Sequence, residues 1–281
     1  MTTVAAALRG AQAAGLDRLD AQLLLAHVLK RDRTWLVAND DAVLDAAPSQ
    51  AFADLTARRA AGEPVAYLVG AKEFHGLTLQ VDARVLVPRP ETELLVDWAL
   101  ERLADAAGPH PRVVDLGTGS GAIALAVKNA RPDAEVLATD LSDGALDVAR
   151  ANARALGLAI GTRSGAWWEA LVGEQRFDLA LSNPPYIAGG DPHLPALRHE
   201  PTLALTPGGD GLDALRAIAA GAAAHLRADG WLLLEHGYDQ AQAVQALLTA
   251  HGFEAVETRS DLAGQPRCTG GRAPRAPERT R

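Results

Sequence analysis

The sequence predicts an α/β fold: an open, mostly parallel sheet with helices on both faces, preceded by a small all-helical domain. Two observations predict the sheet. After Glu91, short apolar segments alternate with amphipathic helical segments, and the apolar segments lack the polar face of a half-exposed strand. A third observation predicts the helical domain, because residues 1–72 carry helically spaced apolar side chains and almost no glycine or proline before Gly62.

Composition narrows the class of protein further. The 281 residues include 27 Lys and Arg and 35 Asp and Glu, which gives a formal net charge of −8. An acidic chain lacks the basic footprint that a phosphate backbone requires, so we expect no direct contact with nucleic acid. The single cysteine, Cys268, cannot form an internal disulfide, and no His/Cys cluster has the spacing of a metal site. We expect no metal.

The expected location is the cytoplasm. Charged residues interrupt the apolar N-terminal segment, so no signal peptide is predicted. No segment reaches the roughly 18 consecutive apolar residues that a membrane span requires, and we expect no membrane contact. We also expect a monomer.

Four segments follow one another along the chain. Leu16, Leu24 and Val28 have helical spacing within the first segment, whereas Thr78 and Gln80 alternate with apolar residues in the second, as in a β-strand. The predicted segments are a helical domain over residues 1–72, a linking β-hairpin over 73–88, the sheet domain over 89–271 and a disordered Arg/Pro-rich tail over 272–281.

The sheet domain contains four short apolar runs typical of buried strands. Helical patterns over 122–130 and 144–155 separate the first three, as expected for parallel strands with helical crossovers. Ligands of such sheets bind at the carboxyl ends of the strands. The predicted strands are Val113–Leu116, Glu135–Asp140, Phe177–Ser182 and Gly230–Glu235.

A glycine-rich loop follows the first of these strands. The segment Asp115–Gly121 has the pattern D-x-G-x-G-x-G, in which the glycines permit a tight turn and close approach of a ligand. Dinucleotide folds use G-x-G-x-x-G to seat a pyrophosphate on a helix N-terminus. The different spacing here suits S-adenosylmethionine, which has no phosphate. The candidate cofactor-binding residues of the loop are Gly117, Thr118, Gly119, Ser120 and Gly121.

An acidic residue ends the next strand. Asp140 follows Gly121 by nineteen positions, close to the spacing at which dinucleotide folds place a ribose-binding carboxylate. Strand, loop, helix, strand and acid occur in the expected order, which favours nucleoside binding over a plain connecting turn. We therefore predict that Asp140 accepts hydrogen bonds from both ribose hydroxyls.

The motif that indicates the chemistry is Asn183-Pro184-Pro185-Tyr186, after the strand Phe177–Ser182. The prolines stiffen the backbone, and the side-chain oxygen of Asn183 and the carbonyl of Pro184 can accept both hydrogens of one NH₂ group. Tyr186 can stack on the planar group that carries this NH₂. The lone pair of such a nitrogen is delocalised, and two acceptors stabilise the positive charge that develops as it attacks a methyl group. Asn183, Pro184 and Tyr186 are the predicted catalytic residues.

With these motifs the chain resembles the class I methyltransferases, whose sheet is Rossmann-like, and among them the peptide chain release factor glutamine N5-methyltransferases (the HemK/PrmC family). The resemblance spans nearly the whole chain and includes Val87–Glu93, Asp115–Gly121 and Ser182–Ile187. It departs after Asp261–Gly264, where an Arg/Pro-rich sequence leaves the end of the final strand undefined.

The resemblance implies an activity and a partner. It implies S-adenosylmethionine as methyl donor and the glutamine of the Gly-Gly-Gln loop of a class 1 release factor as acceptor. It also implies that Asn183, Pro184, Pro185 and Tyr186 hold the amide. Asn183 is in addition a candidate cofactor-binding residue. In relatives a tryptophan flanks the adenine; Trp167 and Trp168 both fit, and the sequence does not separate them.

Other readings of the motif remain open from the residues alone. An N6-adenine or N2-guanine nucleic-acid methyltransferase uses the same NH₂ chemistry, and a ribosomal-protein glutamine is a further acceptor. A non-catalytic S-adenosylmethionine sensor would not need two aimed acceptors. Among smaller signals, His75 is more typical of a turn residue than of a catalyst, and Arg89 and Glu91 either orient substrate or cap the following helix.

Overall fold

The computed structural model describes residues 2–105 and 108–274. The chain divides into two compact units, Met1–Ala71 and Lys72–Arg281. No helix in the described ranges has both the length and the apolar character to cross a bilayer.

Five helices form the first unit. Thr3, Asp17 and Asp32 each precede a helix and accept a backbone N–H three residues ahead, at 3.2, 2.7 and 2.7 Å, which satisfies donors that the first helical turn leaves free. Leu24 and Leu25 are fully buried between the helices. The helices are α1 (Val4–Ala13), α2 (Arg18–Leu29), α3 (Arg33–Ala38), α4 (Ala46–Ala60) and α5 (Val65–Val69).

The hairpin that follows is shorter than the sequence analysis predicted. Its strands are β1 (Ala71–Phe74) and β2 (Leu77–Gln80), joined by His75 and Gly76, which both adopt left-handed backbone angles (φ 48° and 77°). Two left-handed residues produce a tight two-residue hairpin turn. Residues 81–88 do not continue the strand, because the Asp82 carboxylate accepts the N–H of Arg84 and the Asp82 carbonyl accepts that of Val85, which closes a turn.

The second unit continues with a seven-stranded sheet and its helices. A short 3-10 turn, Pro90–Thr92, leads directly into the first helix of this unit. Two further 3-10 turns are Trp167–Leu171 and Leu194–Leu197. The α-helices and strands are α6 (Glu93–Asp105), β3 (Arg112–Leu116), α7 (Ala122–Ala130), β4 (Glu135–Asp140), α8 (Asp143–Leu156), β5 (Gly161–Ser164), β6 (Phe177–Ser182), α9 (Thr202–Leu205), α10 (Asp213–His225), β7 (Leu226–Glu235), α11 (Ala241–Ala250), β8 (Glu254–Ser260) and β9 (Pro266–Arg272).

The strand order is β5-β4-β3-β6-β7-β9-β8, with β9 antiparallel to both its neighbours and the other pairs parallel. The predicted α/β architecture is therefore confirmed. From β3 the chain builds outward through β4 and β5, and then crosses back to place β6 on the other side of β3. Ligands of open α/β sheets bind beside this reversal, at the carboxyl ends of the two central strands.

Alternate residues of the central strands enter two different hydrophobic clusters. Val113 packs with α6 and α7 on one face, whereas Val114 and Leu116 pack with α10 and α11 on the other. Both faces are buried, so polar groups can reach solvent only at the strand ends. The chain therefore concentrates its functional groups at one edge of the sheet.

The C-terminal end of the sheet corrects the predicted start of the disordered tail. Arg272 belongs to β9, and the N–H of buried Ala273 donates to the carbonyl of Gly230 at 2.7 Å. Gly270 makes this strand possible, because a β-carbon there would lie 2.4 Å from a methyl carbon of Leu233. The rest of the predicted tail, residues 275–281, lies outside the described residues.

Candidate active site

Two cavities lie at the carboxyl edge of the sheet, where β3 and β6 end. One, of about 390 Å³, is lined by the glycine-rich loop after β3 and by the end of β4. The other, of about 280 Å³, is lined by Pro184, Tyr186 and residues around α9. Asn183 and Arg89 line both cavities. The larger cavity lies within the usual range for a small-molecule site, about 300–1,000 Å³.

The glycine-rich loop adopts a conformation that requires its glycines. Gly117, Gly119 and Gly121 have φ values of 74°, 55° and 84°, in the left-handed region that side chains disfavour. The N–H groups of Gly117 and Thr118 both donate to the carbonyl of Thr139 at 2.8 Å, which ties the loop to β4. The loop thus presents backbone, with little side chain, to the larger cavity.

Gly121 differs in position from the other residues of the loop. It does not line the larger cavity, whereas Gly117, Thr118, Gly119 and Ser120 do. A β-carbon at Gly121 would lie 3.2 Å from the β-carbon of Ala149 on α8 and 3.1 Å from a methyl carbon of Leu125 on α7. Gly121 therefore allows the two helices to pack closely and makes no direct contribution to the cavity wall.

Asp115 supports the loop from the core. Its side chain is fully buried, and its Oδ2 accepts a hydrogen bond from the Thr118 hydroxyl at 2.6 Å. Burial raises the pKa of this carboxyl to about 7 because the charged form loses its solvation. Asp115 does not line the cavity. Its hydrogen bond with Thr118 fixes the loop conformation.

Asp140 lies at the end of β4 with its carboxylate in the larger cavity. Its Oδ1 accepts the N–H of Ser142 at 2.8 Å, and its Oδ2 accepts the N–H of Gly119 at 2.9 Å. Burial raises the pKa of this group, and the two backbone donors oppose that shift. Each carboxylate oxygen keeps capacity for a further hydrogen bond, so two neighbouring ligand hydroxyls could be held here.

The structure separates the two adjacent tryptophans. Trp167 lines the larger cavity, and its left-handed backbone (φ 46°) turns the indole back over Gly117. Trp168 does not line the cavity. Its Nε1–H donates to the carbonyl of Ile218 at 2.8 Å, and its ring stacks on His225 at 4.8 Å between centroids. Trp168 is a core residue between the sheet and α10.

Asn183 stands at the junction of the two cavities. Immediately before it, the Ser182 hydroxyl donates to the carbonyl of Leu116 at 2.6 Å, which joins the ends of β6 and β3. The Asn183 NH₂ group donates to the Thr92 hydroxyl oxygen at 3.1 Å. Since the NH₂ is held in this way, the side-chain oxygen of Asn183 is the free acceptor of the amide.

The prolines and Tyr186 divide between the cavities. Pro185 lines the larger cavity, while Pro184 and Tyr186 line the smaller one. The Tyr186 hydroxyl donates to Oε1 of Glu235 at 3.4 Å, and the Gln240 side chain donates to the Tyr186 carbonyl at 3.0 Å. Burial and the neighbouring carboxylate raise the pKa of Tyr186, so the phenol stays neutral. Tyr186 thus offers an uncharged aromatic face.

Three further residues of the site were not singled out as candidates in the sequence. Thr92 holds Asn183, and buried Glu235 accepts a hydrogen bond from Tyr186. Glu200 is also buried; its carboxylate accepts the N–H of Val87 at 3.0 Å and forms an ion pair with Arg89. The sequence pattern could have identified Glu235, because this residue ends an apolar strand as Asp140 does. Glu200 lies in an irregular segment and had none.

The remaining candidates lie elsewhere. His75 is in the hairpin turn; its Nε2 lies 3.0 Å from Asp97, and its backbone N–H donates to Glu93. It lines neither cavity, consistent with a turn residue. Arg89 lies in the site, but Glu91 does not line either cavity. Within the described ranges, no cluster of His, Cys, Asp and Glu could hold a metal ion.

Comparisons with known proteins agree with this geometry. Residues 2–70 match the PrmC N-terminal domain family, and residues 92–258 match the methyltransferase small domain family. The chain is 54% identical over 271 residues to a release factor glutamine methyltransferase of Xylella fastidiosa, covering 95% of this chain and 98% of that one. A Burkholderia pseudomallei protein of the same name is 52% identical, with 94% of each chain covered.

Solved structures resemble about seven-tenths of the chain. A methyltransferase from Pyrococcus furiosus superimposes with a TM-score of 0.51 at 16% identity, covering 71% of this chain and 90% of that one. A 16S rRNA methyltransferase of T. thermophilus gives 0.55 at 24% identity, covering 72% of this chain and 49% of that one. These likenesses concern the fold alone.

The strand order, the glycine loop after β3 and the Asn-Pro-Pro-Tyr turn after β6 define a class I methyltransferase. Within that class, identity above 50% across nearly the full length of both chains is decisive. The protein belongs to the family of release factor glutamine methyltransferases.

Proposed function

We propose that the protein transfers a methyl group from S-adenosylmethionine to the side-chain nitrogen (N5) of the glutamine in the Gly-Gly-Gln motif of class 1 peptide chain release factors. The observation that carries this proposal is the position of Asn183, which lines a cavity suited to a nucleoside on one side and a cavity suited to a planar amide on the other. An acceptor nitrogen at that junction would lie beside the methyl donor. We further propose that the protein acts as a monomer.

The larger cavity fits the cofactor in its chemistry. The left-handed glycine loop offers backbone without β-carbons, and the space around Gly119 is open to 4 Å. The Asp140 carboxylate has acceptor capacity for two ribose hydroxyls, and the Trp167 indole supplies an aromatic face within the same wall. S-adenosylmethionine bound there would supply a methyl group on a positively charged sulfur.

The smaller cavity fits the acceptor. Asn183 has its NH₂ bonded to Thr92, so its oxygen can accept one hydrogen of the substrate NH₂. Pro184 has no N–H of its own, and its carbonyl can accept the other hydrogen. Tyr186 lines this cavity as a neutral ring that can pack on the flat amide. These groups would select a planar NH₂.

The residues of this chain act by position and by hydrogen bonding. Two acceptors on one NH₂ draw its hydrogens out of the amide plane, which localises the nitrogen lone pair and stabilises the positive charge that forms on nitrogen. Alignment of the nitrogen with the methyl carbon supplies much of the remaining acceleration. As the new N–C bond forms, the methyl–sulfur bond breaks, and the nitrogen then loses one proton to solvent. The amide nitrogen is positively charged directly after transfer, and a nitrogen-protonated amide is acidic enough to need no enzymic base for that loss.

The test is a transfer assay with purified protein, S-adenosylmethionine labelled in its methyl group, and a purified class 1 release factor. We expect label on the release factor and none after Gln→Glu substitution in its Gly-Gly-Gln motif, since that change removes the NH₂ group and alters little else. Duplex DNA, ribosomal RNA and ribosomal proteins serve as parallel acceptors. Label on any of these with none on the release factor would replace the proposed acceptor.

A further inference from the structure

Asn152 is a buried polar side chain on α8 that is 1% exposed and lines neither cavity. Its Oδ1 accepts the backbone N–H of Gln80 at 2.7 Å. Its NH₂ group donates to the carbonyls of Gln80 and Ser120 at 3.0 and 2.9 Å. The oxygen and both hydrogens of the amide are therefore bonded. The reverse orientation would bring the NH₂ against an N–H and the oxygen against two carbonyls, so the partners fix the amide.

The first partner of Asn152 belongs to the glycine-rich loop. Ser120 lines the larger cavity, and its carbonyl is held by Asn152 from outside that cavity. The same helix contacts the next residue of the loop, since a β-carbon at Gly121 would lie 3.2 Å from the β-carbon of Ala149. Ala149 and Asn152 are three positions apart and share one face of α8. This face therefore fixes the peptide group between Ser120 and Gly121.

The second partner is Gln80, the last residue of β2. Asn152 bonds to both its N–H and its carbonyl, as a residue of a neighbouring strand would. Four positions later, Arg84 and Val85 line the larger cavity. A closed turn connects the two places, because the Asp82 carboxylate accepts the N–H of Arg84 at 3.0 Å and the Asp82 carbonyl accepts that of Val85 at 3.1 Å. The position of Gln80 therefore restrains this part of the wall.

We infer that Asn152 is a positioning residue that holds the two segments lining the larger cavity, the glycine-rich loop and residues 84–89, at the separation which cofactor binding requires. This inference rests on the proposed binding of S-adenosylmethionine in that cavity. Asn152 acts only through the walls, since it lines neither cavity. Loss of its hydrogen bonds should therefore weaken cofactor affinity and leave the transfer step at Asn183 intact once the cofactor is saturating.

Cofactor binding should also be detectable at Gln80. A ligand that fixes Ser120 makes the hydrogen bonds of Asn152 more persistent, and coupling between two places in a protein is reciprocal. Gln80 lines neither cavity, so a ligand in the larger cavity would not shield its N–H directly. Slower exchange of this hydrogen on cofactor binding would report that local opening at the end of β2 has become rarer.

The experiment compares Asn152→Asp and Asn152→Ala with the wild type in the full chain. Aspartate nearly keeps the shape of the side chain and can accept the N–H of Gln80, but an ionised carboxylate cannot donate to either carbonyl. Alanine removes all three bonds without adding a charge. We expect both variants to bind S-adenosylmethionine about 10- to 100-fold more weakly by calorimetry. Their kcat at saturating cofactor and release factor should stay close to that of the wild type.

A matched control truncates a buried side chain on the same helix. Val148 on α8 is 2% exposed and lines neither cavity. Val148→Ala should lower the free energy of unfolding but leave cofactor affinity unchanged, and denaturant unfolding shows that each variant is folded under the assay conditions. Unchanged affinity in both Asn152 variants would overturn the inference. An equal loss of affinity in Val148→Ala would also overturn it, because general loosening of α8 would then explain the effect.

Hydrogen exchange followed by NMR provides a readout that does not require turnover. Without ligand, Asn152→Ala should speed exchange at the N–H of Gly121, which donates to the carbonyl of Thr118 at 2.9 Å and does not bond to Asn152. Val148→Ala should speed it by no more than its loss of global stability allows. In the wild type, S-adenosylmethionine should slow exchange at Gln80, and in Asn152→Ala it should not.

The two readouts separate this inference from the proposed function. Failure of the wild type to bind S-adenosylmethionine would count against the proposed function, while the ligand-free exchange rates would still test whether Asn152 holds the loop. Exchange at Gly121 that is the same in the wild type and in Asn152→Ala would count against the positioning role alone.

Discussion

Gly117 lies directly beneath the indole ring of Trp167: a β-carbon at position 117 would fall 3.2 Å from Cζ3 of that ring. The glycine-rich loop and the aromatic wall of the larger cavity are therefore in contact. The backbone at Gly117 is left-handed (φ 74°), as is that at Trp167 (φ 46°). Gly117 adopts this conformation without a steric penalty, whereas Trp167 carries backbone strain of the kind that clusters at ligand-binding sites.

Gly117→Ala should weaken cofactor binding more than it weakens folding. The new methyl group must displace the Trp167 ring, and alanine disfavours a positive φ by about 1 kcal/mol or more. We expect S-adenosylmethionine affinity to fall by about 10-fold or more, measured by calorimetry. Gly157→Ala is the matched control, because Gly157 is also left-handed (φ 67°) but open space surrounds its β-carbon position. Equal affinities for the two variants would contradict the contact.

Alanine substitutions of the two tryptophans should have different effects. Trp167→Ala should lower cofactor affinity and leave stability close to that of the wild type, since its ring lines the cavity. Trp168→Ala should lower the free energy of unfolding by about 3–5 kcal/mol, because it empties a core position and leaves the Ile218 carbonyl without its donor. Denaturant unfolding and calorimetry on both variants provide the measurement. The reverse pattern would show that the two indoles have been assigned to the wrong environments.

Asp140→Asn should act on the cofactor alone. The substitution keeps the shape of the side chain but removes the charge and one acceptor, and a hydrogen bond to a charged group contributes about 1.5–3 kcal/mol. The expected loss of affinity is about 10- to 100-fold, with kcat at saturating cofactor less affected. Asp143→Asn on α8 is the control, since this nearby carboxylate does not line the cavity. An unchanged affinity in Asp140→Asn would refute the ribose assignment.

Asn183→Ala should abolish most of the transfer and spare cofactor binding. Removal of one preorganised group that stabilises developing charge lowers kcat by about 100- to 1,000-fold in comparable cases. The assay is transfer to a release factor under saturating conditions, with cofactor affinity measured separately. Asn129→Ala, at an exposed position on α7, controls for loss of an asparagine. Near-normal turnover in Asn183→Ala would falsify the proposed role of that amide.

The pH dependence of stability should carry the signature of Asp115. Its folded-state pKa is raised to about 7, above the ordinary value of 3.8. A raised carboxyl pKa means that the unfolded chain releases its proton first, so stability is greatest below the unfolded pKa and decreases until pH passes the folded value. Asp115→Asn removes this titration. The free energy of unfolding of Asp115→Asn minus that of the wild type should therefore increase between about pH 4 and pH 7, by up to about 1–3 kcal/mol.

Asp133 provides a comparison in which stability changes with pH in the opposite direction. Arg131 lowers the pKa of Asp133 to about 2, so its contribution is present above the unfolded pKa and is lost as pH falls through the folded one. Asp133→Asn should therefore be less stable than wild type at neutral pH and equal to it in strong acid. Denaturant titrations over a pH series measure both variants. The Asp115 argument is wrong if both variants shift in the same direction.

Much of the fold and half of the site followed from local pattern. The apolar runs, the glycine loop, Asp140 and the Asn-Pro-Pro-Tyr turn are each contiguous in sequence, and parallel strands must bring their carboxyl ends to one edge. The ends of the hairpin were misjudged. Whether a glycine faces a ligand or a neighbouring helix, and where a strand stops pairing, depend on partners far along the chain.

The sequence by itself determined the class of chemistry, because an amide acceptor, a stiff turn and a nucleoside-binding loop are encoded by residue type and spacing. Only the tertiary structure decided which of Trp167 and Trp168 enters the cavity. Neighbouring residues point in different directions, and the φ of Trp167 determines which of the two indoles faces the cavity. It alone joined Thr92 to Asn183 and Tyr186 to Glu235, pairs that are separated by 91 and 49 residues. Such contacts arise from the packing of β6, β7 and the turn before α6, and no local pattern records them.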